Sequence, residues 1–390
     1  MNPFSSTSLF GRDIPECLKQ GRYRTTPQIV WTCLATIFAC TWVVIHPNLP
    51  GPYDSGFQRF RRRITIALVT IIAPELIAIW AARQLDSARK IKDEFNEKFN
   101  NGMKGWTLTH GFFIQMVGFM MYHEDKPVKV LTFKRLLAAT IMDKSKGDWL
   151  TKLVVVLQIT WFVAQCTGRA SMRLPLAELE VSTLAFAVLN AYVYFFLWWS
   201  KPQGVLVPIR LSYKATPTSP FPSSSSSLSS SSSPDRGRET KSMDNNLKYQ
   251  VGKTRVPMFY DELDHVWESK IVIFSLFVVP LVFGGIHLTL WSTSFHTLFE
   301  QLLWRISAIF ITVVPLASIG LLFLAGRARE VNHVLFQVFF SVATVLVAFC
   351  LAIGYPTFRF ILLVISFYPL THLSEGAYHN IQWLDFFPHM

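Results

Sequence analysis

Long apolar stretches recur along this chain, and they constrain its fold more than any other feature. A helix needs about 20 apolar residues to cross the hydrocarbon core of a bilayer. Only 16% of the 390 residues are charged, whereas soluble domains carry about a quarter. We therefore predict an all-α, polytopic transmembrane helix bundle of seven spans, with an eighth left undecided. The segments are 29–45, 64–82, 149–166, 181–199, 271–290, 306–324, 331–353 and the shorter 358–370.

The regions between these stretches divide the chain. Residues 1–200 form a predicted N-terminal membrane region with four spans and a polar cytoplasmic loop at 83–148. Residues 201–270 include the run SSSSSLSSSSSPDRGR, which cannot bury enough apolar surface to fold, so we expect a disordered linker there. A C-terminal membrane region follows at 271–370, and the tail covers 371–390.

The distribution of Lys and Arg predicts the orientation, because short cytoplasmic loops carry an excess of basic residues. An N-terminus in the cytoplasm places Arg24, the flanks of both long loops and Arg327 on that side. The cluster Arg61–Arg63 would then lie on the opposite side, against the rule. The basic residues are scattered among apolar segments rather than gathered on one domain. We therefore assign the net charge of +12 to the anionic membrane surface and predict no nucleic-acid partner.

One apolar stretch contains a carboxylate. Glu75 follows Pro74 near the middle of 64–82, and an ionisable group at membrane depth is costly enough to mark a functional site by default. The side chain could bind a cation, relay a proton or protonate an alkene-like substrate, a role that needs a pKa raised by burial. The structural alternative is a neutral, hydrogen-bonded carboxyl group that joins two helices.

The other candidate residues lie at or near the ends of the predicted spans, except Asn190, which lies deep in the fourth span. Asp148 opens the third span, and Glu178 and Glu180 precede the fourth, where the helix dipole stabilises acidic side chains. They form either a surface ion-pair cluster or part of a site at the membrane boundary. Asn190 and His287 are candidate ligand-binding residues, although Asn190 also suits an interhelical hydrogen bond. The histidines and cysteines lack the spacing of a metal site, so we predict neither a metal nor a cofactor.

Several blocks of the sequence carry a resemblance. They include TIFACTWVVIHPNLPGP at 36–52, IAPELIAIWAARQ at 72–84, GDWLTKLVVVLQITWFVAQCTGRA at 147–170 and LPLAELEVSTLAFAVLNAYVYFFLWWSKPQGV at 174–205. Together they make the chain similar to a large group of uncharacterised fungal integral membrane proteins. The resemblance implies an endomembrane protein, such as one of the endoplasmic reticulum, and an association with fungal secondary metabolism. It implies no mechanism.

Three functions fit these observations. The leading hypothesis is a non-enzymatic protein that binds or transports a small lipophilic molecule, with Glu75 in its intramembrane site. The second is an enzyme acting on an isoprenoid or lipid, with Glu75 as general acid and Asp148, Glu178 or Glu180 nearby. The third is a scaffold for partner enzymes. The sequence contains no phosphate-binding loop, nucleophile elbow or dinucleotide fingerprint that would favour an enzyme class.

Overall fold

A computed structural model describes most of the chain outside the N-terminus, the linker and parts of the first long loop. The described residues are 23–43, 45–51, 53–99, 105–116, 119–123, 126–130, 148–202, 209–212, 259–260, 268–293, 295–328, 334–371 and 373–381. They are mostly helical. The predicted disordered linker therefore lies largely outside the described residues, as does the end of the tail.

Eleven α-helices occur among the described residues. They are α1 (Thr26–Phe38), α2 (Gly56–Ile72), α3 (Pro74–Phe99), α4 (Leu108–Gln115), α5 (Asp148–Ser171), α6 (Glu178–Tyr192), α7 (Lys270–Leu288), α8 (Leu298–Ala328), α9 (Val334–Phe349), α10 (Tyr355–Phe367) and α11 (Glu375–Tyr378). Turns of π-helix extend α1 through Ala39–Val43 and α6 through Val193–Leu197, and a third joins α9 to α10 at Cys350–Gly354.

A small three-stranded sheet accompanies the helices. Its strands are β1 (Phe119–His123), β2 (Lys126–Val130) and β3 (Ile209–Ser212), in the order β2-β1-β3. The β1–β2 pair is antiparallel and the β1–β3 pair is parallel. Since β3 lies within the predicted linker and β1 within the first long loop, the sheet joins these two regions.

The number of helices that could cross a membrane is lower than the sequence predicts. Among the described residues, five segments are long and apolar enough: Leu153–Ser171, Glu178–Leu197, Lys270–Leu288, Leu298–Ala325 and Gln337–Leu370. A sixth is possible if the bent pair α2 and α3 counts as one span. The prediction of seven or eight spans is therefore wrong in number.

The predicted second span, 64–82, is broken. The axes of α2 and α3 differ by 113°, and the break falls at Ala73, which is not helical (φ −140°, ψ 70°). Pro74 explains the break, because its ring disfavours helical backbone at the preceding residue and proline has no N–H to continue the helix.

The predicted seventh and eighth spans merge. The helix continues from α9 through the π turn at Cys350–Gly354 into α10, so Gly354 and Pro356 do not end it. Pro356 lies in the first turn of α10, where the missing N–H costs little. Gly354 is needed for packing, because a Cβ at that position would lie 2.7 Å from the ring of Phe310 on α8.

The chain divides into two compact units that alternate along the sequence. The first comprises Met1–Ala39, Leu157–Val188 and Val282–Met390, and the second comprises Cys40–Val156 and Leu189–Leu281. In the first unit, α8 packs along α9 and α10. In the second, α3 packs against α2, α4 and the π turn that ends α6.

Large apolar side chains cover the outer surfaces of the long helices. An 18-residue apolar stretch of the α9–α10 segment is only 6% buried, and the exposed side chains of this segment include Phe339, Val345 and Phe349. Water would penalise such a continuous apolar surface, whereas acyl chains would not. This surface is compatible with a membrane protein.

Candidate functional site

Glu75 lies directly after the helix break. It is in the first turn of α3, next to Pro74, and its residue is only 5% exposed. The first four N–H groups of a helix have no intrahelical acceptor, and the helix dipole is positive at this end. The fold therefore gives a buried carboxyl group a favourable electrostatic position at the point where two helices separate.

A second buried ionisable group in the same unit was not among the candidates predicted from the sequence. Lys201 follows the π turn at the end of α6 and is completely buried. Its ammonium group donates hydrogen bonds to the backbone carbonyl of His46 and to Gln84 Oε1, the latter at 2.8 Å. It also lies 4.7 Å from the ring centre of Trp80 and 4.4 Å from that of Trp198. Burial, reinforced by the charge of Arg62, lowers the pKa of Lys201 well below its usual range.

The groups around Lys201 form a polar network, which we call the Lys201 cluster: His46, Asn48, Trp80, Gln84, Trp198, Lys201 and Tyr260. Gln84 Nε2 donates to Asn48 Oδ1 at 3.0 Å and to the carbonyl of Tyr260 at 3.2 Å. Trp80 Nε1 donates to the same carbonyl at 3.2 Å. The two tryptophan rings meet edge to face, with centres 5.1 Å apart. These contacts connect chain segments that are far apart in sequence, and aromatic faces stabilise the cation.

The predicted acidic pair at the start of α6 has an ionic partner in the first unit. Arg24 donates to both carboxylate oxygens of Glu180, one of them at 2.8 Å, and Glu180 also accepts from the backbone N–H of Ala177 at 2.9 Å. Glu178 is buried as well, and the charges of Glu180 and Glu300 repel its carboxylate. Glu180 is therefore in an ion pair, but a largely buried one with Arg24 rather than part of a surface cluster.

Arg169 holds the C-terminal segment in the first unit. Its guanidinium group is buried and donates to the carbonyls of Pro175, Gly376, Ala377 and His379 at 2.6–3.2 Å. The backbone of Arg24 adds a hydrogen bond to the Tyr378 carbonyl at 2.7 Å. The start of α1, the end of α5 and the segment after α10 therefore meet at one place.

His287 is buried beside an arginine rather than an acid. Its Nε2 lies 3.3 Å from Arg359 Nη1, and its Nδ1 lies 2.8 Å from the carbonyl of Phe283. Arginine can only donate, so Nε2 accepts, Nδ1–H donates and the imidazole is neutral. The rings of Phe186 and Phe283 stack on the guanidinium group at 4.7 and 4.2 Å. Both imidazole nitrogens are thus engaged.

The other candidate residues predicted from the sequence do not form a single site with these groups in the described part of the chain. Asn190 is buried in α6 within the second unit, and Asp148 is the first residue of α5. Glu178, Glu180 and His287 belong to the first unit, whereas Glu75, Asp148 and Asn190 belong to the second. Among the described residues, no group of three or more His, Cys, Asp or Glu side chains could hold a metal ion.

The sequence did contain a signal for the Lys201 cluster. Lys201 follows Trp198 and Trp199 closely and directly precedes Pro202. Tryptophan rings this near in sequence can contact the side chain of a lysine. The partners at 46–48 and at Gln84 could not be identified, because only the tertiary fold brings them together.

The fold defines a class: a helical protein in which five helices of the described part of the chain are long and apolar enough to cross a membrane. The chain belongs to a family of unknown function, DUF8562, whose model matches residues 14–266. No curated protein and no solved structure matches the chain. The family agrees with the expectation of an uncharacterised group, and its model covers both the Glu75 helix break and the whole Lys201 cluster.

Proposed function

We propose that this protein is a multi-pass endomembrane protein that binds, and moves, a small lipophilic molecule through a site containing Glu75. The observation that carries the proposal is the burial of a carboxyl group at a break between two helices. In membrane transport proteins, ligand sites are typically formed where a helix is interrupted and free backbone groups line a cavity. The apolar outer surface of the long helices supports the location in a membrane.

The chemistry of Glu75 suggests what the molecule carries. A carboxyl group in an apolar setting can accept a hydrogen bond from a hydroxyl or amine, or donate one when it is protonated. Neighbouring Leu76 is exposed and apolar, so a lipophilic body with one polar group suits this position. Following the fungal proteins that the chain resembles, we place the molecule in secondary metabolism, with terpenoids as the first class to test.

An enzyme acting on an isoprenoid or lipid is the second proposal, with Glu75 as general acid. It needs a further acidic group beside Glu75. Glu180 is occupied by Arg24 and by the Ala177 N–H, which weakens the enzyme hypothesis relative to binding. The scaffold hypothesis depends on the long loops, and 131–147 and 213–258 lie outside the described residues.

The substitution Glu75→Gln separates these functions, because it preserves shape and hydrogen bonding but removes ionisation. In a host that makes candidate terpenoids, transport predicts normal product with altered export, whereas catalysis predicts loss of product. Glu300→Gln is the matched control, since Glu300 is also a buried acid in the first turn of a helix. Normal product and normal export in Glu75→Gln would contradict both functions, and a loss of protein abundance alone would make Glu75 structural.

A further inference from the structure

The chain segments on the two sides of the α2–α3 pair hydrogen bond to each other. Asn48, which precedes α2, accepts from the Gln84 side chain on α3 at 3.0 Å. Leu49 donates its backbone N–H to the carbonyl of Met116, beyond the end of α3, at 3.2 Å. A pair of helices that crossed a bilayer would separate its flanking segments by about 30 Å. Here the flanking segments are in contact.

Lys201 locates this contact relative to the bilayer. It follows the apolar segment Glu178–Leu197 by four residues, and Trp198 and Trp199 lie between, as in an interfacial aromatic belt. Because Lys201 donates to both His46 and Gln84, the residues before α2 and those partway along α3 lie at the boundary where α6 ends.

We infer that α2 and α3 form a re-entrant hairpin that enters the bilayer and leaves it by the same face, with Glu75 close to its tip and the Lys201 cluster closing its base. Nine residues separate Glu75 from Gln84, which corresponds to about 14 Å of helix. That length reaches about half the depth of the hydrocarbon core. The hairpin therefore holds a carboxyl group near the middle of the bilayer without crossing it.

Contacts inside the first unit limit the number of membrane crossings before the end of α5 to an even one. Arg24, before α1, and Arg169, near the end of α5, both bind the carbonyl of Ala377. The chain from the start of α1 to the end of α5 must therefore cross the membrane an even number of times. The helix from Thr26 to Val43 contains no charged residue and is about 27 Å long. α5 is one of these crossings, and the helix from α1 to Val43, although it is not among the five segments named above, is the second if the α2–α3 pair contributes none.

The hairpin also changes the sequence-based orientation: Arg61–Arg63 now lie on the same face as the ends of the long loops, in agreement with the positive-inside rule, but Arg24 no longer lies in the cytoplasm. The positive-inside rule then makes the face with the loops cytoplasmic, which reverses the orientation predicted from the sequence. A further consequence rests on the proposed function. If Glu75 holds the proposed ligand, the ligand reaches this residue from the cytoplasmic face only.

Cysteine labelling in sealed microsomes tests the hairpin without any ligand. The five native cysteines are replaced by alanine, and single cysteines are placed at Tyr53 before α2, at Asp93 in the exposed half of α3 and at Ser171 after α5, all of which are solvent-accessible. We expect a membrane-impermeant maleimide to label Tyr53→Cys and Asp93→Cys at once, and Ser171→Cys only after detergent is added. Labelling of Tyr53→Cys and Asp93→Cys from opposite sides would overturn the hairpin.

A second measurement keeps the inference testable if the cysteine-free chain does not fold. The sequence contains no Asn-x-Ser/Thr acceptor, so a long acceptor tag can be inserted into the native chain after Tyr53, between Phe99 and Gly105, or after Ser171. We expect glycosylation only after Ser171. Modification of just one of the two sites that flank the hairpin would overturn it, and modification of both with none after Ser171 would overturn the orientation.

Discussion

The contact between α7 and α8 in the first unit allows one substitution to be compared with a nearly identical control. Gly284 and Gly285 are adjacent on α7. A Cβ on Gly284 would lie 1.9 Å from Thr312 Oγ1 and 2.7 Å from Thr312 Cβ, whereas no atom lies within 4 Å of a Cβ on Gly285. Non-bonded carbon atoms prefer separations of about 3.5–4.0 Å. The helices must therefore move apart in Gly284→Ala but not in Gly285→Ala.

The expected magnitudes follow from this geometry. Alanine favours a helix interior over glycine by about 0.5–1 kcal/mol, and both variants receive that gain. Overpacking costs about 1–3 kcal/mol, and only Gly284→Ala incurs it. We therefore expect Gly284→Ala to be less stable than Gly285→Ala by about 1–3 kcal/mol. Thr312→Ala removes the nearest atom, so it should recover part of the loss in the double variant.

The assay is reversible unfolding of the purified protein by sodium dodecyl sulfate in detergent micelles, followed by tryptophan fluorescence. Four variants complete the comparison: the two glycine substitutions, Thr312→Ala and the double variant. Equal stability of Gly284→Ala and Gly285→Ala, with no coupling to Thr312, would refute the close packing of α7 on α8.

Two further predictions concern buried cations. Burial in the folded state lowers the pKa of Lys201 below 10.5. At pH values between the folded and unfolded pKa of this group, the unfolded chain binds more protons than the folded chain. The free energy of unfolding should therefore rise with pH through that range. Lys201→Met should abolish this rise in unfolding titrations from neutral to alkaline pH, whereas Lys90→Met, at an exposed site, should retain it. Arg169→Met removes a donor from four backbone carbonyls, of which that of Ala377 keeps the Arg24 Nε–H, and the cost is about 1–3 kcal/mol for each group left unsatisfied. Limited proteolysis should then cut near Gly376 faster than in the parent chain, and an unchanged rate would contradict the role of Arg169.

The sequence predicted the apolar helices well, because a long apolar stretch has few alternatives in a folded chain. It predicted less well where each helix within those stretches breaks or ends. Pro74 indicated a disturbance, but a proline can kink a helix or end it, and only the structure gives the 113° bend. Gly354 and Pro356 indicated a helix end, yet a π turn carries the helix through both residues.

The residues of the candidate site also differ in how well the sequence predicts them. Glu75 was recognisable because a lone carboxylate stands out in an apolar stretch. The partners of Lys201 were not recognisable, because the His46 carbonyl and Gln84 Oε1 are separated from it by 155 and 117 residues. Hydrogen bonds to distant backbone groups leave no periodic pattern in a sequence, so such a cluster becomes visible only in the folded chain.

The central claim is that the carboxyl group of Glu75 holds a small lipophilic molecule, and the molecules that co-purify with the protein test it most directly. The parent chain, Glu75→Gln and the control Glu300→Gln would be purified in equal amounts, extracted with organic solvent and compared by mass spectrometry. Glu75→Gln keeps a hydrogen bond but makes it neutral, and the difference between a bond to a charged group and a neutral one is about 1–1.5 kcal/mol, which corresponds to a loss of about 5- to 13-fold in affinity. We expect one compound to be retained by the parent and by Glu300→Gln but strongly depleted in Glu75→Gln. The same compounds in equal amounts in all three would contradict the account.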